Sequence, residues 1–179
     1  LSVGSVFACA AVVGGLAFTA TGNLFLSLAT TLGVGALLGL TNGLLITRVR
    51  VPPFIATLGM MGIARGLALI ISGGIPIYGL DDRYKFIGQG KIFDVIPVPT
   101  VIVLVVYVIS YLVMNHTRFG RFTYAIGSNG EAARLSGINV AAVTVGIYTL
   151  SGLLAGLASI IEAGRLATVQ PADPAPAMM

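Results

Sequence analysis

Five long apolar runs, separated by short polar segments, dominate the hydrophobic pattern of this chain. They cover approximately residues 1–20, 24–47, 54–72, 97–114 and 140–161. A helix needs about 20 mostly apolar residues to cross a bilayer, and each run reaches or nearly reaches that length. None of the runs shows the period-two alternation of a membrane barrel strand. The pattern therefore predicts an all-α fold class, a polytopic transmembrane helix bundle with about five spans.

Turn-forming residues mark the boundaries between the first four runs. Pro52 and Pro53 would break a helix that continued from the second run into the third. The sequence Thr21-Gly22-Asn23 predicts a tight turn between the first two runs. Pro97 suits the opening turn of the fourth run. We therefore expect these runs to form separate helices with short connections.

A polar segment at residues 115–139 interrupts the last two runs and reads NHTRFGRFTYAIGSNGEAARLSGIN. Ser128 is predicted to be the N-cap of a short helix, and Glu131 completes a capping box. Gly137 is predicted to end that helix in a left-handed conformation. The pattern indicates a two-turn docking helix, Ser128 to Gly137, at the membrane surface. Two alternatives stay open: the segment only connects two spans, or Glu131 serves only the cap.

Composition supports a membrane protein and argues against nucleic-acid binding. The chain is 56% hydrophobic and 9% charged, with a mean hydropathy of +1.00, whereas an average soluble domain is about 25% charged. Ten basic residues against six acidic ones give a pI near 9.6, but the basic residues are scattered and few aromatics accompany them. Because the chain lacks an initiating Met and a signal peptide, we expect residues 1–179 to be part of one larger transmembrane domain.

The distribution of basic residues predicts the orientation of the spans. One face of the membrane would hold Arg48, Arg50, Arg118, Arg121 and Arg134, and the other would hold Arg83, Lys85, Lys91 and Arg165. The positive-inside rule counts lysine and arginine residues, so the first face is favoured, by one residue, as the cytoplasmic side. That face also carries a single acid, Glu131. We therefore expect the 115–139 segment to lie in the cytoplasm.

The sequence shows no catalytic, cofactor-binding or metal-binding motif. The segment Gly88–Lys91 resembles a phosphate loop only in part, because Ile92 follows it and the upstream glycine spacing is missing. His116 is the single histidine, too few for a typical zinc site, and Cys9 is the single cysteine. Asp81-Asp82 is more simply interpreted as a solvated loop than as an acid–base pair. We predict a protein that is not an enzyme and has no cofactor.

Arg65 is the one charged residue well inside a predicted span. It lies about 16 Å along the helix from Phe54, near the middle of the membrane. An ionisable residue at that depth is a functional candidate that is expected to face the bundle interior or water. The alternative is that Arg65 tethers a helix broken at Gly62 and Gly66.

Glycines recur every four residues on several of the predicted helices. The repeats are Gly35/Gly39/Gly43, Gly62/Gly66 and Gly152/Gly156. Small residues at this spacing let two helix backbones approach closely in lipid. Close packing within the bundle is the main interpretation, and a self-dimerisation face is the alternative.

Several segments resemble one known family, the ribose-type ABC sugar permeases of the branched-chain amino acid/sugar permease superfamily. NGLLITRVRVPPFIATLGMMGIARGLALIISGG (42–74) is similar to their core, and TRFGRFTYAIGSNGEAARLSGINV (117–140) to their ATPase-contacting loop. LSVGS (1–5) and SGLLAGLASIIEAGRLATVQP (151–171) match the same family. Family members have further spans before Leu1 and after Pro171, where ADPAPAMM stands here.

The resemblance implies a permease subunit of an ATP-binding-cassette importer, in the bacterial inner membrane, for a monosaccharide such as ribose. Its implied partners are an ATP-binding subunit, which supplies ATP hydrolysis, a second permease subunit, a periplasmic sugar-binding protein and the lipid bilayer. The coupling residues expected to contact the ATP-binding subunit are Ser128, Gly130, Glu131, Arg134 and Gly137. The alternatives are a fragment of a multi-span membrane enzyme and a passive channel.

Overall fold

A computed structural model describes residues 1–78, 82–92, 96–166 and 168–169 of the chain. In chain order its elements are α1 (Val3–Thr21), α2 (Leu24–Thr47), α3 (Pro53–Ser72), α4 (Asp82–Gln89), β1 (Lys91–Ile92), β2 (Ile96–Pro97), α5 (Val98–His116), α6 (Arg118–Ser128), α7 (Gly130–Leu135) and α8 (Val140–Leu166). Helices α1, α2, α3, α5 and α8 are long and apolar enough to cross a membrane. The predicted all-α polytopic bundle is thereby confirmed, with β1 and β2 adding only a two-residue antiparallel pair.

The predicted turn between the first two spans is also present. Gly22 ends α1 with a left-handed φ of 63°, a conformation that glycine adopts without steric cost. The Asn23 side chain then caps α2, because its Oδ1 accepts hydrogen bonds from the backbone N–H groups of Phe25 (3.0 Å) and Leu26 (3.5 Å). Pro53 occupies the first turn of α3, where its missing N–H costs nothing.

Helices α2 and α8 form the closest contact of the bundle. A Cβ atom added at Gly35 would overlap the carbonyl oxygen of Gly152, and one added at Gly39 would overlap that of Tyr148. A Cβ at Gly43 would come within 2.8 Å of the Val145 Cα. The interpretation of the glycine repeats as packing surfaces is therefore confirmed for α2 and α8.

The third glycine repeat, on α3, does not pack against any other described part of the chain. A Cβ added at Gly62 or Gly66 would meet no atom within 4 Å. The buried positions of α3 are Ala56, Thr57, Met60, Ala64 and Ala68, which recur at helical spacing and face mainly α1. The packing prediction is therefore wrong for Gly62 and Gly66 within this bundle.

The expectation of a loop at Asp81-Asp82 is wrong for Asp82, because Asp82 begins helix α4. Asp81 lies outside the described residues. Tyr84 on α4 is 1% exposed, and its ring contacts the Phe18 ring edge-on with the centroids 5.3 Å apart. Burial raises the pKa of the Tyr84 hydroxyl, which also lies within 3.5 Å of Ser27 Oγ. A protonated, neutral tyrosine thus anchors α4 in the end of the bundle between α1 and α2.

Two further contacts attach α4 to the end of α8. The Gln89 side chain donates a hydrogen bond from Nε2 to the carbonyl oxygen of Arg165 at 2.7 Å. Gly88 lies directly against the backbone of Gly164 and Arg165, so no side chain fits there. Helix α4 is therefore packed against the bundle, which the polar pattern of the sequence did not predict.

Helix α5 stands at the edge of the bundle. It has no buried residue and packs mainly against α4 and α6. Val103, Leu104 and Tyr107 are each at least 60% exposed. Such a continuous apolar surface suits contact with lipid or with another transmembrane segment, where it costs no exposure to water.

Candidate partner-docking site

The 115–139 segment is almost entirely helical, which the sequence did not predict for its first half. Helix α6 begins after Thr117, whose hydroxyl accepts a hydrogen bond from the Gly120 N–H at 3.4 Å. Gly120 is buried directly against the backbone of Met114 at the end of α5. The Phe119 ring lies against α8, where a Cβ added at Gly146 would come within 3.0 Å of it. Helix α6 is therefore held between α5 and α8.

The predicted cap of the short docking helix is wrong by one residue. Ser128 is the last residue of α6, and Asn129 is the N-cap of α7, with φ −154° and ψ 100°. The Asn129 Oδ1 accepts hydrogen bonds from the N–H groups of Glu131 (3.1 Å) and Ala132 (3.0 Å). A cap residue needs this extended conformation, and Ser128 is helical.

The predicted capping box does not form either. Its second half requires the N–H of the cap residue to bind the Glu131 side chain. The Asn129 N–H instead donates to the carbonyl oxygen of Ala125 at 3.0 Å and closes the last turn of α6. Within the described residues, the Glu131 carboxylate has no hydrogen bond or ion pair, so an exclusive capping role for Glu131 is also wrong.

The predicted end of the docking helix is confirmed at Gly137. This residue has a φ of +82°, in the left-handed region that favours glycine. Its N–H donates to the carbonyl oxygen of Arg134 at 3.0 Å, and the Ile138 N–H donates to that of Ala133 at 3.1 Å. This pair of bonds is a Schellman motif. Helix α7 is thus a rigid, doubly capped element, although its six residues are fewer than expected.

One face of α7 is free for a partner. Ala133 is 5% exposed and points into the protein. With about 3.6 residues per turn, Glu131 and Leu135 lie on the opposite side of the helix and Arg134 lies at the flank of that surface. All three are exposed, and Leu135 is 83% exposed. Neither Glu131 nor Arg134 forms an ion pair with another described residue, so an apolar side chain and two opposite charges are available for binding.

Leu135 is an exposed apolar residue of α7 that the sequence analysis did not select. Its position four residues after Glu131 places the two on one helix face. Gly130 contributes no close contact within this chain, because a Cβ added there would meet no atom within 4 Å. Its role in docking stays a prediction.

A basic groove adjoins the docking helix. It has a volume of about 530 Å³ and lies between the end of α2 and the start of α8. Arg50 and Arg134 both line it, together with polar groups of Thr47, Asn139 and Thr144. None of the described residues that line the groove is acidic. Arg50 and Arg134, which the charge count assigned to the same membrane face, therefore line the same groove.

Arg65 lies on the open side of α3. Its side chain is exposed and forms no ion pair with any described residue, while the neighbouring Ala64 is fully buried. Helix α3 is continuous from Pro53 to Ser72, so the alternative of a helix broken at Gly62 and Gly66 is wrong. This chain alone does not shelter Arg65 from lipid, and its functional role stays a prediction.

Among the described residues, five apolar helices long enough to cross a membrane define the class of this molecule as a polytopic α-helical membrane protein. The family model described as "Branched-chain amino acid transport system / permease component" matches residues 1–179, and the chain belongs to this family. It is a multi-pass protein of the bacterial inner membrane, and the resemblance inferred from its sequence is confirmed.

Several curated proteins are similar to most of the chain. Ribose import permease protein RbsC of Escherichia coli K12 is 39% identical over 175 residues, which are 96% of this chain and 54% of that protein. RbsC of Bacillus subtilis is 48% identical over 132 residues, 73% of this chain and 41% of its own length. L-arabinose transport system permease protein AraH of Escherichia coli K12 is 40% identical over 171 residues, 96% of this chain and 52% of AraH.

This chain spans about half the length of the curated relatives that it matches most fully. No solved structure matches it with significant similarity. The assignment of residues 1–179 to part of one larger transmembrane domain therefore stays a prediction.

The cytoplasmic orientation of α7 is testable by single-cysteine labelling. We expect Asn129→Cys, in a Cys9→Ser background, to react with a membrane-impermeant maleimide only after the cells are permeabilised. The native Cys9 is buried, so its removal only eliminates background labelling. Thr21→Cys, on the opposite side of the bundle, is the matched control and should be labelled in intact cells. Strong labelling of Asn129→Cys in intact cells would reverse the assignment.

Proposed function

We propose that this chain is a membrane-spanning permease subunit of an ATP-binding-cassette importer for a monosaccharide such as ribose. Membership of the permease family supports the transport role. Relatives are named as permeases for ribose, for L-arabinose and, in the case of FrcC of Rhizobium meliloti, for fructose. We therefore propose a small neutral sugar as the class of substrate, and ribose as the specific choice, since relatives from Escherichia coli and Bacillus subtilis are both named for ribose.

The free face of α7 is the observation that carries the proposal. A partner that binds Glu131, Arg134 and Leu135 would find two charges and an apolar side chain without competing contacts in this chain. The groove beside Arg134 adds the positive charge of Arg50, so an acidic side chain of the partner fits there. We assign this surface to the ATP-binding subunit, which would hydrolyse the ATP.

Helix α8 is suited to carry a movement of α7 into the membrane. Only Ser136 to Asn139 separate the two helices, and Asn139 caps α8 by accepting a hydrogen bond from the Ala142 N–H at 3.0 Å. Helix α8 then packs along α2 through the glycine contacts. A displacement of α7 would therefore move α8 against α2, provided that the partner binds α7 differently in its two states.

The open sides of α3 and α5 are the surfaces that we assign to further transmembrane contacts. The second permease subunit and additional spans would cover part of these apolar faces, and lipid would cover the rest. A periplasmic sugar-binding protein would deliver the sugar on the side opposite α7, where α4 and the β1–β2 pair lie. These partner assignments are part of the proposal.

Genetic and biochemical tests separate this proposal from its alternatives. We expect deletion of the gene to abolish growth on one monosaccharide at limiting concentration, and an ATP-binding subunit to co-purify with the permease. Co-purification should be lost when Glu131, Arg134 and Leu135 are all replaced by serine. Sugar flux that persists without an ATP-binding subunit would contradict the importer and favour the passive channel.

Arg65 provides an independent prediction. A charge near the middle of a bilayer costs about 2.5–3.5 kcal/mol on insertion scales, so it is kept where it has a function or a sheltered partner. We expect Arg65→Leu to reduce sugar uptake at least tenfold with normal membrane expression, a loss of about 1.4 kcal/mol in the transport step. The measurement is sugar uptake into vesicles that contain equal amounts of the wild-type or the variant protein.

The control for Arg65 is a neighbouring substitution on the same open side of α3. Gly66→Ala adds a methyl group where no atom lies within 4 Å, and we expect it to leave uptake unchanged. Unchanged uptake by Arg65→Leu would reduce Arg65 to an anchoring residue.

A further inference from the structure

Asn42 is a buried polar residue, and only one of its two polar side-chain groups forms a hydrogen bond with a described residue. Its side chain is 2% exposed, near the end of α2 that adjoins the docking helix. Its Nδ2 donates a hydrogen bond to Ser2 Oγ at 3.1 Å. Its Oδ1 accepts none from the described residues. Because an unpaired buried acceptor is costly and rare in native proteins, this oxygen requires a donor.

A cavity of about 60 Å³ lies beside Asn42, where α1, α2, α3 and α8 meet. Its lining includes hydroxyl groups from three other helices or their ends, on Ser2, Thr57, Tyr148 and Ser151. The Thr57 hydroxyl donates to the carbonyl oxygen of Pro53 at 2.9 Å, which leaves its lone pairs free to accept. Among the described residues, no side chain that lines the cavity is charged.

The size and polarity of the cavity identify the class of its occupant. A water molecule takes up about 30 Å³ in the liquid and needs two to four polar partners, so this space holds about two waters. A neutral lining does not compensate the desolvation of an ion. A monosaccharide, which has about ten non-hydrogen atoms, is too large for a space that holds about two waters.

We propose that this cavity is a hydration site in the interior of the bundle, in which Asn42 Oδ1 accepts a hydrogen bond from an ordered water. The same water has hydroxyl partners on α3 and α8, so it links α2 to both helices. The glycine contacts between α2 and α8 continue beside it, since Gly39 and Gly152 also line the cavity. This site follows from helix packing and does not depend on the proposed transport function.

Radiolytic hydroxyl-radical footprinting of the full chain in nanodiscs tests the site. Val6 lines the cavity and is 2% exposed, and Val12 on the same helix is fully buried outside the cavity lining. We expect Val6 to be oxidised well above Val12, and its oxygen label to exchange slowly after mixing with H₂¹⁸O. Equal, background-level oxidation of the two valines would overturn the proposal.

Two variants link the signal to Asn42. Asn42→Leu should reduce oxidation of Val6 severalfold, because it removes the acceptor and fills the space. Thr41→Val removes an exposed hydroxyl from the adjacent position of α2 and should leave the oxidation unchanged. Undiminished oxidation of Val6 in folded Asn42→Leu would also overturn the assignment. If Asn42→Leu does not fold, the comparison of Val6 with Val12 in the wild-type chain decides whether water occupies the cavity.

Discussion

Replacing Glu131 and Arg134 together by alanine is expected to abolish sugar-stimulated ATP hydrolysis by the reconstituted importer. Both side chains are exposed on α7, and neither is paired within the described chain. Hydrogen bonds to charged groups contribute about 1.5–3 kcal/mol each, so losing two weakens docking by at least about 100-fold. The measurement is ATP turnover in proteoliposomes with and without sugar and binding protein.

The same double substitution should leave the fold of the permease intact. Surface substitutions away from buried contacts usually change stability by less than about 0.5 kcal/mol, and alanine is a good helix former. Insertion of the five spans and the helical circular dichroism signal should therefore be normal. A loss of stimulation that accompanied unfolding would not count as uncoupling.

Ser128→Ala is the matched control for the docking helix. Ser128 was the cap predicted from the sequence, but the structure assigns that role to Asn129, whose side chain binds two N–H groups of α7. We expect Ser128→Ala to retain stimulated hydrolysis, and Asn129→Ala to weaken it by destabilising α7 by about 0.5–2 kcal/mol. Full stimulation by the Glu131/Arg134 double variant would refute the coupling role of α7.

Gly39→Leu is expected to cause a large loss of stability of the helix bundle. A Cβ at Gly39 would overlap the carbonyl oxygen of Tyr148 on α8. Overpacking commonly costs about 1–3 kcal/mol, and here the obstacle is backbone that does not rotate away. We expect a clearly lower midpoint in thermal unfolding of the detergent-solubilised protein, followed by circular dichroism.

Gly62→Leu is the control for this prediction because it makes the same chemical change on α3. No atom lies within 4 Å of a Cβ at Gly62, and leucine has a higher helix propensity than glycine. We expect its unfolding midpoint to equal or exceed that of the parent protein. Equal midpoints for Gly39→Leu and Gly62→Leu would contradict the assignment of α2 and α8 as the central helix pair.

The positions of the spans could be predicted because bilayer thickness imposes a length on any apolar helix. The first three predicted runs agree with α1, α2 and α3 to within two residues. The end of α7 at Gly137 could also be predicted from the local sequence, because a left-handed helix end favours glycine whatever surrounds it. The glycine repeats of α2 and α8 were predictive because close helix contact requires small residues.

Other features depended on the arrangement of distant segments. Tyr84 belongs to a polar stretch, and only the packing of α4 against α1, α2 and α8 makes it almost fully buried. Local sequence allowed either Ser128 or Asn129 to cap α7, and the extension of α6 through Ser128 decided between them. The exposure of Leu135 likewise follows from the side on which α7 contacts the protein.

The amino-acid sequence by itself thus determined the membrane class, the five spans and the family, since these follow from apolar length and local residue patterns. Only the tertiary structure decided which glycines touch another helix, which face of α7 is free, and that Asn42 Oδ1 lies beside a small polar cavity. These properties arise from contacts between residues far apart in the chain, such as Asn42 and Ser2 or Gly39 and Tyr148. Their pairing depends on how whole helices pack, which no local pattern specifies.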